Sequence, residues 1–323
     1  MISLGLEGTA HTLGIGIIDS EGILSDIRKT YMPTAGIHPR EAAQFLGEKF
    51  REAVDLALEE SGLDFRDIDL ISFSQGPGMG PCLRTIATGA RALSLHHKIP
   101  ILGVNHCVAH IEIGNFLGKL RDPLVLYVSG GNTQILKLKD KRYRIFGETL
   151  DIGVGNMLDK FGRETDLKHP AGPKIEKLAE KGRNYIELPY VVKGTDLSFS
   201  GVLTAAVNKF KSGEFPLDDL CYSIQETSFS MLTEVTERAL AHLKVGEVLL
   251  TGGVGNNNRL REMMKKMCRE HKVKFSVPDK YCSDNGVMIA LLGRVMYEAG
   301  VRQEIEDTVV RQRFRTDSVE IIW

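Results

Sequence analysis

Apolar residues at Ala42, Phe45, Leu46, Phe50, Ala53, Val54, Ala57 and Leu58 return every three or four positions. This is the stripe of an amphipathic helix that starts after Pro39 and is stopped by Ser61-Gly62. Before it, two β-like apolar runs, 2–6 and 13–18, flank the turn Glu7-Gly8-Thr9-Ala10-His11 and predict a hairpin. After it come a strand at 68–73, the loop Gly76-Pro77-Gly78-Met79-Gly80-Pro81, a helix over about 83–98, a strand at 99–104 and a short helix from Asn105. Strands alternating with helices predict an α/β fold.

Arg121-Asp122-Pro123 interrupts the pattern, which then begins again. A strand at 124–128, the turn Ser129-Gly130-Gly131-Asn132 and a returning strand at 133–138 repeat the unit seen at the start of the chain. Past Pro173 the periodicity predicts helices over 174–181, 201–211 and 217–243. A strand at 248–251, the loop Gly252-Gly253-Val254-Gly255-Asn256-Asn257-Asn258, a helix through 267 and a short strand near Phe275 follow. The last helix runs to 299, with Ser283 or Asp284 as its cap. The pattern predicts two similar α/β halves, 1–123 and 124–300, with a tail at 301–323.

Composition adds exclusions. The 323 residues carry 41 basic and 42 acidic side chains, a net charge of -1, which excludes a polybasic nucleic-acid coat. No apolar stretch reaches the ~18 residues of a membrane helix, and the first residues lack the basic segment of a secretion signal. The five cysteines lie at least 14 positions apart, which excludes a disulfide framework and paired-cysteine zinc motifs. A reduced cytoplasmic setting without a membrane partner is expected. The 33 glycines exceed the usual ~7% and gather in turns.

Three of those turns follow predicted strands: Glu7-Gly8-Thr9, Ser129-Gly130-Gly131-Asn132 and Gly252-Gly253-Val254-Gly255-Asn256. Glycine allows backbone N–H groups to approach a phosphate, although one such turn alone usually just reverses the chain. His106 and His110 sit at i and i+4 of a predicted helix, so both imidazoles leave one face and can bind one metal ion. The same spacing also suits two buried, hydrogen-bonded histidines. Further ligands would be Asp284, otherwise a helix cap, and Tyr127, otherwise a core residue. Asp159, Gly172 and Glu176 are candidates for a ribose-binding wall or for a solvated helix surface. Lys137, Lys139, Lys141, Arg142 and Arg144, with Arg311, Arg313 and Arg315 of the tail, are basic positions open to phosphate or to solvent.

A set of motifs then coincides: Asn105-His106-Cys107-Val108-Ala109-His110, Tyr127-Val128-Ser129-Gly130-Gly131-Asn132-Thr133, Asp151-Ile152-Gly153-Val154-Gly155-Asn156, Asp196-Leu197-Ser198-Phe199-Ser200-Gly201, Thr251-Gly252-Gly253-Val254 and Cys282-Ser283-Asp284-Asn285-Gly286. Together they resemble the tRNA threonylcarbamoyladenosine synthase family, the catalytic subunit of the KEOPS complex and a relative of bacterial TsaD. The tail Arg311-Gln312-Arg313-Phe314-Arg315-Thr316-Asp317 resembles the archaeal and eukaryotic branch. Since no kinase domain follows Trp323, the unfused form is expected.

The resemblance implies an actin-like, sugar-kinase-like ATPase (ASKHA) fold of two duplicated lobes with a nucleotide and metal cleft between them. It implies transfer of threonylcarbamoyl from threonylcarbamoyl-AMP to N6 of the adenosine 3′-adjacent to the anticodon, in tRNAs reading codons that begin with A, with release of AMP. By residue, it implies His106, His110, Tyr127 and Asp284 as catalytic metal ligands. Tyr127, Val128, Ser129, Gly130, Gly131, Asp159, Gly172, Glu176 and either Asn256 or Asn257 would contact the nucleotide or substrate. The cofactors would be one divalent or trivalent metal per subunit, iron with zinc as the alternative, and an adenine nucleotide (threonylcarbamoyl-AMP, ATP or AMP). The partners would be tRNA and the KEOPS subunits: the small atypical kinase/ATPase in direct contact, the small dimerisation subunit and the kinase-binding regulatory subunit. Competing readings are a metal-dependent glycoprotein endopeptidase, a small-molecule kinase and a nucleotide-switched scaffold without catalysis. The first is disfavoured because Cys107 stands where a metalloprotease helix carries its glutamate.

Overall fold

The computed structural model describes residues 1–33 and 36–323. The elements in chain order are β1 (Ser3–Glu7), β2 (Thr12–Ile18), β3 (Ile23–Thr30), α1 (Pro39–Ser61), β4 (Leu70–Gly76), α2 (Gly80–His97), β5 (Ile101–Asn105) and α3 (His106–Gly118). Then come β6 (Leu124–Val128), β7 (Thr133–Lys139), β8 (Arg142–Glu148), α4 (Val154–Glu164), α5 (Gly172–Ala179), β9 (Val192–Lys193), β10 (Asp196–Leu197), α6 (Ser200–Ser212) and α7 (Leu217–Leu243). The series closes with β11 (Glu247–Thr251), α8 (Asn258–Glu270), β12 (Lys274–Ser276) and α9 (Gly286–Glu298).

The chain divides into two compact units. The first comprises Met1–Phe116, Asp140–Tyr143 and Ser283–Trp323; the second comprises Leu117–Lys139 and Arg144–Cys282. Each holds a five-stranded sheet, ordered β3-β2-β1-β4-β5 in the first and β12-β11-β6-β7-β8 in the second. In the first, β1 pairs antiparallel with β2 and parallel with β4, which in turn pairs parallel with β5. In the second, β6 pairs antiparallel with β7 and parallel with β11, which pairs parallel with β12. The repeated strand–turn–strand unit is therefore a repeated sheet plan. Strands β1, β2, β4, β5 and β6 are buried along their whole lengths. Burial on both faces explains their near-continuous apolar runs.

The unit boundaries differ from the sequence expectation of 124–300 for the second half. The chain leaves the first unit at Phe116, re-enters it briefly at Asp140–Tyr143 and returns for good at Ser283, so α9 and the tail belong there. The reason is packing. A Cβ on Gly5 would lie 2.1 Å from the Gly286 carbonyl oxygen, and one on Gly16 would lie 2.3 Å from the Val287 nitrogen. Strands β1 and β2 thus present a floor of bare backbone on which the start of α9 rests. Composition gives no hint of this, since nothing changes in residue type at position 283.

The tail is sewn to the carboxyl ends of β4 and β5. Gln75 Nε2 donates to the carbonyls of Asp307 and Val309, Gln303 Oε1 accepts from Gly103 N, and Arg91 bonds Thr308. Asn105 Nδ2 donates to the Phe314 carbonyl at 3.0 Å.

Candidate functional site

Helix α3 begins where β5 ends, and Asn105 at the junction caps it, its Oδ1 accepting from Val108 N at 3.0 Å. The first turn therefore starts at a fixed point, and His106 and His110 leave the helix on one face. Their rings meet edge to face with centroids 4.7 Å apart. Asp284 comes from the loop before α9. Its Oδ1 lies 3.2 Å from His110 Nε2 and 3.6 Å from His106 Nε2. The helix cap expected of Ser283 or Asp284 is instead Asn285, whose side chain accepts from Met288 N, and this releases Asp284 to face the histidines.

One ligand atom from each of the three residues lies within 4.8 Å of the other two. Donors about 2.1 Å from a common ion in tetrahedral arrangement sit about 3.4 Å apart, and the two carboxylate–histidine separations of 3.2 and 3.6 Å lie close to that. Two imidazoles and one carboxylate are a donor set that suits iron or zinc better than magnesium. Burial opposes charge on His106, but the carboxylates of Glu7 and Asp284 outweigh it and push its pKa up to about 9. Burial holds His110 below its ordinary value, and its hydrogen bond to Asp284 only partly offsets that. Asp284 is held well below the usual carboxylate range: burial opposes this, and the charge of His106 with the His110 hydrogen bond overcomes it. The charge of His11 acts on Asp284 in the same sense.

Two residues around this set carry no sequence signal that spacing rules detect. Glu7, fully buried at the end of β1, receives His106 Nδ1 at 2.9 Å. Asn105 links the histidine helix to the tail.

The remaining candidates lie in the second unit. Tyr127 is fully buried on β6, opposite Gln134 on β7 and Thr251 on β11. Ser129-Gly130-Gly131-Asn132 closes the β6–β7 hairpin with Ser129 N donating to the Asn132 carbonyl at 2.8 Å. The N-terminal amides of α4 donate back into this turn, Gly155 N to the Ser129 carbonyl and Asn156 N to the Gly130 carbonyl. A Cβ on Gly153 or Gly155 would strike those carbonyls at 2.5 and 2.7 Å, so these two glycines serve the helix–turn contact. A Cβ on Gly131 meets open space.

Asp159 on α4 accepts from Ala171 N at 2.9 Å, next to Gly172, and His169 Nδ1 lies 3.5 Å away. Its carboxyl is held below the ordinary value: burial opposes this, and the His169 and Ala171 hydrogen bonds overcome it. Glu176 on α5 accepts from Asn258 N at 2.7 Å, which ties it to the third glycine turn. At that turn Asn257 is the cap of α8, its Oδ1 accepting from Arg259 and Leu260 while Nδ2 donates to Gln225. Asn256 Oδ1 accepts from Arg261 Nη2. The fold thus brings Asp159, Gly172, Glu176 and the asparagines of the third turn onto neighbouring segments of one unit. Asp151 bonds Phe199 N and Ser200 N, which joins two further motifs at the start of α6.

Among the basic candidates, Lys137 is buried and paired with Asp122, and Arg315 is paired with Asp317. These two serve the structure. The five cysteines are all buried and unbridged. Burial pushes Cys82 and Cys282 up to about 11, and Cys221 and Cys268 up to about 12. Since the thiolate is the reactive form, the native protein is expected to resist iodoacetamide at pH 7.5, while the guanidinium-unfolded chain takes up five labels. Mass spectrometry of the two states checks this, and rapid native labelling would contradict it.

The family model described as "TsaD: tRNA N6-adenosine threonylcarbamoyltransferase" matches residues 22–291. The chain belongs to that family. Proteins named tRNA N6-adenosine threonylcarbamoyltransferase from Thermococcus kodakarensis and Thermococcus sibiricus are 57% and 56% identical, with all of each chain covered. A Methanothermobacter thermautotrophicus protein named as a probable bifunctional tRNA threonylcarbamoyladenosine biosynthesis protein is 55% identical, and the present chain covers 61% of it.

Among solved structures, HypF of T. kodakarensis superposes with a TM-score of 0.63 at 17% identity, over 95% of this chain and 48% of that one. The ROK hexokinase of Thermus thermophilus gives 0.51 at 16% identity, over 93% of this chain and all of the other. These likenesses concern the fold alone, and it is the actin-like, sugar-kinase-like (ASKHA) class that the family resemblance implied. No helix among the described residues is long and apolar enough to cross a membrane.

Proposed function

We propose that the chain transfers the threonylcarbamoyl group from threonylcarbamoyl-AMP to N6 of the adenosine 3′-adjacent to the anticodon of tRNAs reading codons that begin with A. The N6 amine forms a bond to the carbamoyl carbon, the bond from that carbon to the phosphate oxygen breaks, and AMP leaves as the N6 proton is given up. The observation that carries this reading is the set of two buried histidines, His106 and His110, with the half-buried Asp284 in a chain of this family. The donor already contains an activated mixed anhydride. Positioning and charge stabilisation therefore suffice, and no protein nucleophile is required.

Roles follow from placement. His106, His110 and Asp284 would hold the metal, with Tyr127 as a fourth ligand. Bound there, the metal supplies Lewis-acid polarisation of a substrate oxygen. The Ser129-Gly130-Gly131 turn, with Tyr127 and Val128 leading into it, would hold the adenylate through backbone N–H groups. The open space at Gly131 supports that role. Asp159 and Glu176 would bind the ribose beside Gly172. Asn256 or Asn257 of the third turn would contact the nucleotide. The metal is assigned as iron, with zinc as the alternative, and the nucleotide as an adenine nucleotide. The setting is the cytoplasm, and the partners are tRNA and the KEOPS kinase/ATPase, dimerisation and regulatory subunits. That a relative which this chain matches over 61% of its length is named bifunctional supports a second activity working beside it.

The deciding experiment mixes the full chain, those subunits, threonylcarbamoyl-AMP and unmodified tRNA, followed by nucleoside analysis. Formation of threonylcarbamoyladenosine is expected, and its absence with all components present overturns the reading. A tyrosinate bound to ferric iron absorbs visible light through charge transfer. Tyr127→Phe is therefore expected to bleach the iron-loaded protein, and an unchanged visible spectrum removes Tyr127 from the ligand set.

A further inference from the structure

Glu7 is the least expected residue near the histidines. It stands at the end of β1 with no exposed surface, and three donors converge on its carboxylate. Thr9 N and Thr9 Oγ1 both reach Oε1 at 2.7 Å, and His106 Nδ1 reaches Oε2 at 2.9 Å. We propose that Glu7 is a positioning residue: by accepting the Nδ1 proton of His106 it fixes the imidazole so that Nε2 is turned toward His110 and Asp284. The proposal rests on the metal reading of that set and deepens it.

The argument is one of valence and geometry. An ionised carboxylate only accepts hydrogen bonds, so the ring nitrogen facing it must carry a proton. In a neutral imidazole the proton on Nδ1 leaves the lone pair on Nε2, the atom that lies 3.6 Å from Asp284 Oδ1. The partner of one ring nitrogen in this way selects which nitrogen is offered to a metal, and it raises the basicity of that nitrogen. Thr9 completes the arrangement by holding the opposite carboxylate oxygen through both its N–H and its hydroxyl. The carboxylate therefore cannot swing away from His106. Glu7 is also ill placed to replace the glutamate that a metalloprotease helix carries, because it faces the Nδ1 edge of His106, away from the edge turned to Asp284.

Such outer partners change metal affinity by about 10–100-fold. The test uses the full chain stripped of metal and titrated with Co(II) against a competing chelator, with the d–d absorption spectrum recorded for each variant. Glu7→Ala is expected to weaken Co(II) binding about 10–100-fold and to alter the d–d bands. Glu7→Gln keeps one acceptor atom and so recovers part of the loss, and Thr9→Val weakens binding only several-fold. Should Glu7→Ala fail to fold, Glu7→Gln and Thr9→Val carry the same comparison. Wild-type affinity and an unchanged spectrum in a folded Glu7→Ala or Glu7→Gln protein overturn the proposal alone. Failure of the wild-type chain itself to bind Co(II) overturns the metal reading and the proposal with it.

Discussion

Asp284→Ala protein is expected to lose its bound metal and to transfer threonylcarbamoyl about 1,000-fold more slowly than wild type, while remaining folded. Its carboxylate approaches both histidines, at 3.2 and 3.6 Å, so its removal takes the charged ligand out of the set and leaves only the two imidazoles. A metal acting as a Lewis acid is worth several kcal/mol of transition-state stabilisation, and 1,000-fold corresponds to about 4 kcal/mol. The fold survives because the Asp284 side chain keeps 25% of its surface, so truncation opens no sealed cavity. Its neighbour Asn285 continues to cap α9. Metal analysis, circular dichroism and single-turnover transfer on the same preparation check the three parts. Full metal content in the variant would dismantle the ligand set, and a lost metal with undiminished transfer would detach the metal from the chemistry.

What the sequence made legible depended on how local each cause was. Helix α7 was read with the bounds it has, Leu217–Leu243, because 27 residues of sustained periodicity leave little room for another assignment. Strand β3 was missed, since Ile23–Thr30 mixes polar and charged residues on a half-exposed surface. The histidine pair was legible because i,i+4 spacing on a helix is itself a geometric statement. Asp284 was ambiguous between ligand and cap until the neighbouring Asn285 was seen to take the cap. Glu7 was legible only as the start of a glycine turn: its partner lies 99 positions away, and only the strand order β1-β4-β5, with α3 following β5, brings them together. The glycines were half understood. Their clustering suggested phosphate turns, yet Gly153 and Gly155 serve a helix–turn contact, and Gly5, Gly14 and Gly16 serve a helix that follows some 270 residues later.

That helix contact yields the second large effect. Gly16→Ala is expected to destabilise the protein by about 3 kcal/mol or more, at or beyond the upper end of ordinary overpacking costs, and to lower its melting temperature by several degrees. The new methyl carbon would lie 2.3 Å from Val287 N, 2.6 Å from Gly286 C and 2.8 Å from Val287 Cα. All three are backbone atoms, so no side-chain rotation relieves the clash, and either α9 lifts from the sheet or β2 bends. Asp284 stands two residues before α9, so the same displacement shifts it relative to His106 and His110. Metal affinity should therefore fall along with stability, although position 16 touches no ligand. Gly22→Ala is the matched control, because a Cβ there meets nothing within 4 Å, and it should change stability by less than about 0.5 kcal/mol. Calorimetric melting with and without Co(II) reads both effects. A Gly16→Ala protein that melts like Gly22→Ala would mean that α9 does not rest on β1 and β2 as closely as these contacts require.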